Sequence, residues 1–229
     1  MTSIININNF KLVSGVIRDR GLLNVFRYIY YDFMFDSRFG IDTINVITNE
    51  DLIVDSNNKQ YGGMYQGIPV LMFDEIMAQL KINFQKSTFI DFGSGKGKAL
   101  LLASRLGFSK IIGVEYSPEL VEICKKNIEL YCKKVKTSSD FTVICSDATD
   151  YDIPTDANYL FFYNPFGEPV VQKVLARIEE SARRYPREIW ILYIRPMLST
   201  FKNHPSLELL KENPDWQIYR LRQNGTNNK

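Results

Sequence analysis

Asp91-Phe92-Gly93-Ser94-Gly95-Lys96-Gly97 sets an acidic residue ahead of three alternate glycines. The apolar run Thr88-Phe89-Ile90 precedes it and Ala99-Leu100-Leu101-Leu102-Ala103 follows, which reads as buried strand, glycine turn and helix. Such a turn leaves backbone N–H groups and a helix N-terminus open to a ligand, with no side chain in the way. Spacing narrows the choice. A dinucleotide fingerprint starting at Gly93 needs glycine at position 98, where Lys98 stands. A Walker A loop needs G-K-[ST], and this chain has Gly95-Lys96-Gly97 and Gly97-Lys98-Ala99 instead.

Three later segments carry polar groups where strands are expected to end. Glu115-Tyr116 closes Ile112-Gly113-Val114, about 20 residues past the glycines, where a carboxylate can accept from sugar hydroxyls. Cys145-Ser146-Asp147-Ala148-Thr149 offers an aspartate and a backbone N–H. Asn164-Pro165-Phe166-Gly167-Glu168 joins an amide, a proline and an aromatic ring. Taken singly, each has a plainer reading: a tight turn, a surface glutamate, a loop aspartate, an Asn-Pro helix start.

Together, in this order and spacing, they resemble motifs I to IV of the class I S-adenosylmethionine (SAM) dependent methyltransferases, over about residues 68–222. Tyr61 to Gly97 is also distantly similar to the seven-strand histone-lysine methyltransferases, whose long basic tail is missing here, and Phe39-Gly40-Ile41-Asp42-Thr43 with Tyr163-Asn164-Pro165-Phe166-Gly167-Glu168 resembles bacterial methyltransferases of that general type without a settled substrate. The resemblance implies that Asp91, Gly93, Ser94, Gly95 and Gly97 cradle the methionine part of SAM, with Asp91 toward its ammonium. It implies that Glu115 holds ribose, that Tyr116 packs on adenine, and that Asp147 and Ala148 read the adenine edge. Asn164, Pro165 and Phe166 would face the methyl, and Asn164 with Phe166 would orient a nitrogen nucleophile. Pro165 is followed by Phe166 rather than a second proline, a departure from the usual amino-methylating pattern. Tyr65, within Tyr61-Gly62-Gly63-Met64-Tyr65-Gln66-Gly67, is expected to be a lid or substrate contact. Lys96 and Lys98 are expected to be solvated.

The elements that must position these residues alternate from residue 88 onward. Strands are expected at 88–92, 110–115, 141–145, 158–163, 188–194 and 215–221, and helices at 96–106, 117–134, 168–185 and 206–212. Apolar runs such as Tyr159-Leu160-Phe161-Phe162-Tyr163 suggest burial on both faces. The fold class is therefore α/β, a doubly wound, mostly parallel, Rossmann-like sheet with a helical N-terminal extension. About 30 residues follow the fifth strand, so the usual antiparallel strand pair is expected to be reduced or absent. Leu22, Leu23, Phe26, Ile29, Tyr30 and Phe33 at helical spacing, with Arg18, Arg20 and Arg27 between them, indicate one or two helices over 8–36. Residues 1–60 are expected to form a cap and loop, and 61–229 the SAM-binding domain. Pro69 opens a further helix.

Composition bounds the rest. A net charge of +2 gives no reason to favour nucleic acid as a partner. One histidine, His204, argues against a histidine metal site or a Ser-His-Asp triad, and no metal is expected. Cys124, Cys132 and Cys145 form no C-x-x-C pair and are expected to be reduced, partly buried thiols, Cys124 and Cys132 as core packing. No membrane span or signal peptide is expected, and the protein is expected to be cytoplasmic. The expected activity is SAM-dependent methyl transfer to nitrogen, on a small molecule or a protein lysine. The rivals are a SAM-binding module without catalysis and an NAD-dependent oxidoreductase.

Overall fold

The structure is a computed structural model that describes residues 21–54, 56–81 and 83–222. The expected helix before residue 21, with Arg18 and Arg20, and the polar tail 223–229 lie outside the described residues.

Five strands pair in parallel: β1 (Thr88–Phe92), β2 (Lys110–Glu115), β3 (Asp140–Cys145), β4 (Ala157–Tyr163) and β5 (Trp190–Ile194). β7 (Trp216–Leu221) runs antiparallel to β5, and β6 (Leu207–Glu212) antiparallel to β7. The order is β3-β2-β1-β4-β5-β7-β6. Strand order reverses between β1 and β4, so the carboxyl edge there is the crevice where sheets of this kind take ligands.

All five residues of β1 are buried because its two faces meet different cores. Phe89, Ile111, Phe161 and Leu192 pack with residues of α1 (Leu22–Phe39), α2 (Val70–Met77), α3 (Lys98–Leu106) and α4 (Pro118–Lys134). Ile90, Ile112, Leu160 and Ile191 face α5 (Glu168–Arg184) and Phe201 of the short α6 (Thr200–Asn203). The two-residue alternation from Phe89 to Ile90 is the strand pleat at work. In α5, Val170, Val171, Val174, Leu175 and Ile178 make one buried stripe at helical spacing. Ser117 caps α4 by accepting the Leu120 N–H at 3.3 Å, with Pro118 at the first helical position.

Residues 206–212 correct the expectation of a helix. Leu207–Glu212 form β6, and the antiparallel strand pair is complete. Leu-Glu-Leu-Leu-Lys-Glu is made of helix formers, yet β7 presents an open edge, and a register shift between Leu209 and Lys211 fits the segment to it. Sheet pairing and burial of Leu207 override local propensity here.

The N-terminal segment is built into the same core: Phe35, Phe39 and Ile41 belong to the cluster that covers β1 and β4. The opposite side of α1 leaves Leu23, Phe26, Ile29, Tyr30 and Phe33 exposed. Residues 44–60 are largely loop, closing in a 3-10 turn at Lys59–Tyr61 and joined to the next segment by one antiparallel bridge, Ile47 to Tyr65. Among the described residues no helix is long and apolar enough to cross a membrane. Of the cysteines, Cys124 is buried, but Cys132 and Cys145 are exposed, so core packing accounts for the first alone.

Candidate functional site

The glycine loop leaves β1 at the switch point. The N–H groups of Gly93 and Ser94 both donate to the Val114 carbonyl, at 2.8 and 3.1 Å, and the Gly97 N–H closes the turn on the Ser94 carbonyl at 2.8 Å. Gly93 has φ 78°, and a side chain there would come within 2.5 Å of Pro165 Cβ. Gly95 has φ 52° and lies directly under the Tyr65 ring. Only glycine tolerates both the backbone and the contact.

The buried Glu115 carboxylate ties the loop to β2. It accepts the Gly95 N–H at 2.8 Å on one oxygen and the Ser117 N–H at 3.0 Å on the other. Burial raises its pKa, and the N–H groups of Ser117, Gly95 and Tyr116 oppose that rise. Asp91 is also buried, and its pKa stands well above the usual carboxylate range, through desolvation first and the Glu115 charge second. A ligand cation beside Asp91 would relieve both effects.

Asp147 sits beyond β3. One of its oxygens accepts from Ser56 Oγ at 2.7 Å and Asn58 Nδ2 at 2.9 Å. The other accepts from Thr149 N at 2.9 Å and Thr149 Oγ1 at 2.8 Å. Burial alone would raise its pKa, but the hydrogen bonds from Ser56, Thr149 and Asn58 outweigh that and hold it below the usual value.

A strap over residues 56–67 crosses this edge from Asp147 to the β4 turn. The Gly167 N–H donates to the Tyr61 carbonyl at 2.7 Å and the Gly63 N–H to the Pro165 carbonyl at 3.1 Å. The Tyr65 hydroxyl donates to the Thr43 carbonyl at 2.9 Å. Tyr116 Oη bonds Asn49 Oδ1, and burial raises the phenol to about 12. Under the strap is a cavity of about 60 Å³. Asp91, Gly93, Ser94, Gly95, Glu115, Tyr116, Tyr65, Pro165 and Phe166 all line it. Asp147, Ala148, Tyr116, Val114 and Phe166 line a second recess beside it.

Two expected site residues stand elsewhere. Gly97, at φ 85°, packs against Cys124 of α4 at the head of α3. Asn164 is left-handed, at φ 42°. Its amide accepts from Tyr193 Oη at 3.1 Å and lies 3.0 Å from Met197 Sδ, so the side chain is directed at the β5 side and not at the cavity. Its strand neighbour Tyr163 lines the cavity instead.

Lys96 and Lys98 correct the expectation of solvated side chains. Both are buried, at 1% and 2% exposure. Lys96 Nζ is 2.8 Å from Asp42 and lies over the Tyr65 ring at 5.4 Å. Lys98 Nζ is 2.8 Å from Asp32 of α1. Asn127 joins this network, receiving the Asp42 N–H and donating to the Asp42 and Lys96 carbonyls. The N-terminal segment therefore neutralises the charges beside the glycine loop. These partners lie 54 and 66 residues before the lysines, a separation no motif spacing reveals.

The residues present fit an adenosyl sulfonium. Ser94 Oγ is buried with no hydrogen-bond partner, and Gly93 and Gly95 on either side of it add no side chain to the cavity wall. Pockets for such ligands span about 300–1,000 Å³, so the strap must shift for one to enter.

Residues 90–164, from β1 to the turn after β4, match a family model described as "Methyltransferase domain". No curated protein matches the sequence. Among solved structures, a Haemophilus influenzae protein provisionally assigned as a methylase is 18% identical, with TM-score 0.51, covering 69% of this chain and 95% of its own. An RNA methyltransferase from Salinibacter ruber, in complex with S-adenosylhomocysteine, is 18% identical with TM-score 0.50, covering 67% and 91%. A Pyrococcus horikoshii protein provisionally assigned as an RNA methyltransferase is 17% identical with TM-score 0.51, covering 76% and 95%. These three are likenesses of fold. The domain match over residues 90–164, the sheet order and the glycine loop agree: the chain carries a methyltransferase domain on the class I, seven-strand fold.

Proposed function

We propose that this protein moves a methyl group from SAM to a nitrogen nucleophile, on a small amine or a protein lysine in the cytoplasm. The observation that carries the cofactor half is the convergence of Asp91, Gly93–Gly95, Glu115, Tyr116 and Phe166 on one cavity. When bound, the cofactor supplies a methyl on a sulfonium, already activated for in-line displacement. The chain's own residues bind, orient and exclude water. Asp91 would meet the ammonium, and Glu115 would hold the ribose while it braces Gly95. Asp147 and Ala148 border the adenine recess. Asp147 would accept from the adenine amino group in place of Ser56 and Asn58, which hold the same oxygen here. Phe166 lies beside the reacting centre, where its ring can face the sulfonium.

Nitrogen is favoured because a neutral amine needs alignment and no strong base. The chain's single histidine, His204, follows α6 and precedes β6, on the amino edge of the sheet, 3.7 Å from Glu179. Two of the similar folds are described as RNA methyltransferases. The near-neutral charge of this chain gives no comparable reason to favour RNA.

Calorimetric titration with SAM, S-adenosylhomocysteine and NAD tests the cofactor. Incubation with methyl-labelled SAM and panels of amines, lysine-bearing proteins and RNA, followed by hydrolysis, tests the acceptor. Label in N-methyl groups is expected. Binding of NAD with none of SAM, or label confined to O- or C-methyl products, would overturn the reading.

A further inference from the structure

Tyr163 ends β4, immediately before the Asn-Pro-Phe turn. Asp91 and Phe161 are register partners, and Phe161 and Tyr163 are two residues apart, so all three side chains share one face of the sheet. Tyr163 stands one pleat repeat, about 7 Å, nearer the carboxyl edge than Phe161. That places it at the carboxyl-edge side of the cavity, with Asp91 deeper on the same face.

Its hydroxyl oxygen is fully buried and has no hydrogen-bond partner, although the residue as a whole is half-buried. A buried hydroxyl left unpaired costs about 1–3 kcal/mol, so an orphan lining a ligand cavity points to a ligand. Burial pushes this phenol up to about 12, so it stays protonated and uncharged at neutral pH. The Arg195 guanidinium lies 5.7 Å from the ring centroid. Arg195 is itself fixed: its backbone is left-handed at φ 49°, its N–H donates to the Asp215 carbonyl at 2.7 Å, and its guanidinium donates to Gln66 Oε1 at 3.3 Å. Gln66 also lines the cavity. The neighbouring amide of Asn164 is occupied by Tyr193 and Met197.

Resting on the amine-transfer reading above, we propose that Tyr163 Oη receives an N–H of a primary or secondary amine acceptor and turns the nitrogen lone pair toward the methyl. The lone pair forms the N–C bond, the C–S electron pair leaves on sulfur as a neutral thioether, and the ammonium product then loses a proton to water. A tertiary amine has no N–H to offer and is disfavoured. Arg195 positions the ring through its face.

Sinefungin, which carries an amine where SAM carries its methyl, probes this contact directly against S-adenosylhomocysteine, which lacks any group there. Both are titrated into the full chain and into Tyr163→Phe. The wild-type protein is expected to prefer sinefungin, and Tyr163→Phe to lose about tenfold of that preference while its affinity for S-adenosylhomocysteine is unchanged. The thermal midpoint of Tyr163→Phe should not fall, because the hydroxyl removed has no partner. An unchanged ratio in Tyr163→Phe, with S-adenosylhomocysteine bound normally, overturns the proposal and leaves the cofactor assignment standing. Failure of the wild-type chain to bind S-adenosylhomocysteine overturns both.

Discussion

Asp32→Ala is the sharpest test of how the N-terminal segment supports the loop. The Lys98 side chain is 2% exposed, its ammonium is 2.8 Å from Asp32 Oδ1, and Asp32 is 17% exposed. The same oxygen accepts the Val70 N–H at 2.9 Å, at the start of α2. Removing the carboxylate leaves a buried ammonium alone, which costs about 3–5 kcal/mol. It also orphans a helix N-terminal N–H, worth about 1–3 kcal/mol. The two losses share one oxygen and do not add, and water can reach a site with this much residual exposure. The expected loss is about 3–4 kcal/mol, a large share of the 5–15 kcal/mol typical of a domain. Urea unfolding followed by tryptophan fluorescence should show the midpoint fall by more than about 1 M. Asp32→Ala combined with Lys98→Met should recover most of the loss, because the stranded charge is gone. A single variant within about 1 kcal/mol of wild type, or a double variant no better than the single, would refute the reasoning.

Other outcomes follow from the same geometry. Glu115→Ala should weaken SAM binding by roughly 1–3 kcal/mol in calorimetry, and Glu115→Gln by less, since the amide keeps one acceptor; equal affinities would make Glu115 a bystander. Asp91 has a raised folded pKa, so at acid pH both states are protonated and its stability contribution is intact. As pH climbs through the ordinary aspartate range the unfolded chain ionises first, and stability falls until the raised pKa is passed. Asp91→Asn should flatten that slope in pH-dependent melting. SAM binding should release a proton over the same interval, so affinity should increase with pH; titration in two buffers of different ionisation enthalpy checks this. Ser56→Ala with Asn58→Ala loosens the strap at Asp147, and cofactor association in stopped-flow should speed up roughly fivefold, the effect of about 1 kcal/mol. An unchanged rate would show that these bonds do not limit entry.

What the sequence made legible, and what it hid, follows from range. The Asp91–Gly97 turn, the Glu115 end of β2 and the Asp147 loop are local patterns in which turn chemistry and apolar strands agree, so type and order were readable. β6 was not, because Leu207–Glu212 has the composition of a helix and becomes a strand only when β7 offers an edge. Lys96 and Lys98 looked solvated because lysine is seldom buried, and only folding brings Asp42 and Asp32 to them. The identity of Asn164 was readable, but its direction depends on a left-handed backbone that carries its amide toward Tyr193. Tyr163 was hidden inside an aromatic strand, where one more tyrosine reads as packing.

The pairing of Lys96 with Asp42 and of Lys98 with Asp32 has a bearing on chimeras. Grafting a different front segment onto this catalytic half would strand two positive groups unless the donor carried acids at the matching places or the recipient were neutralised at 96 and 98. Across natural relatives, these four positions should therefore change in concert, and an exchange at one that leaves its counterpart untouched should be rare.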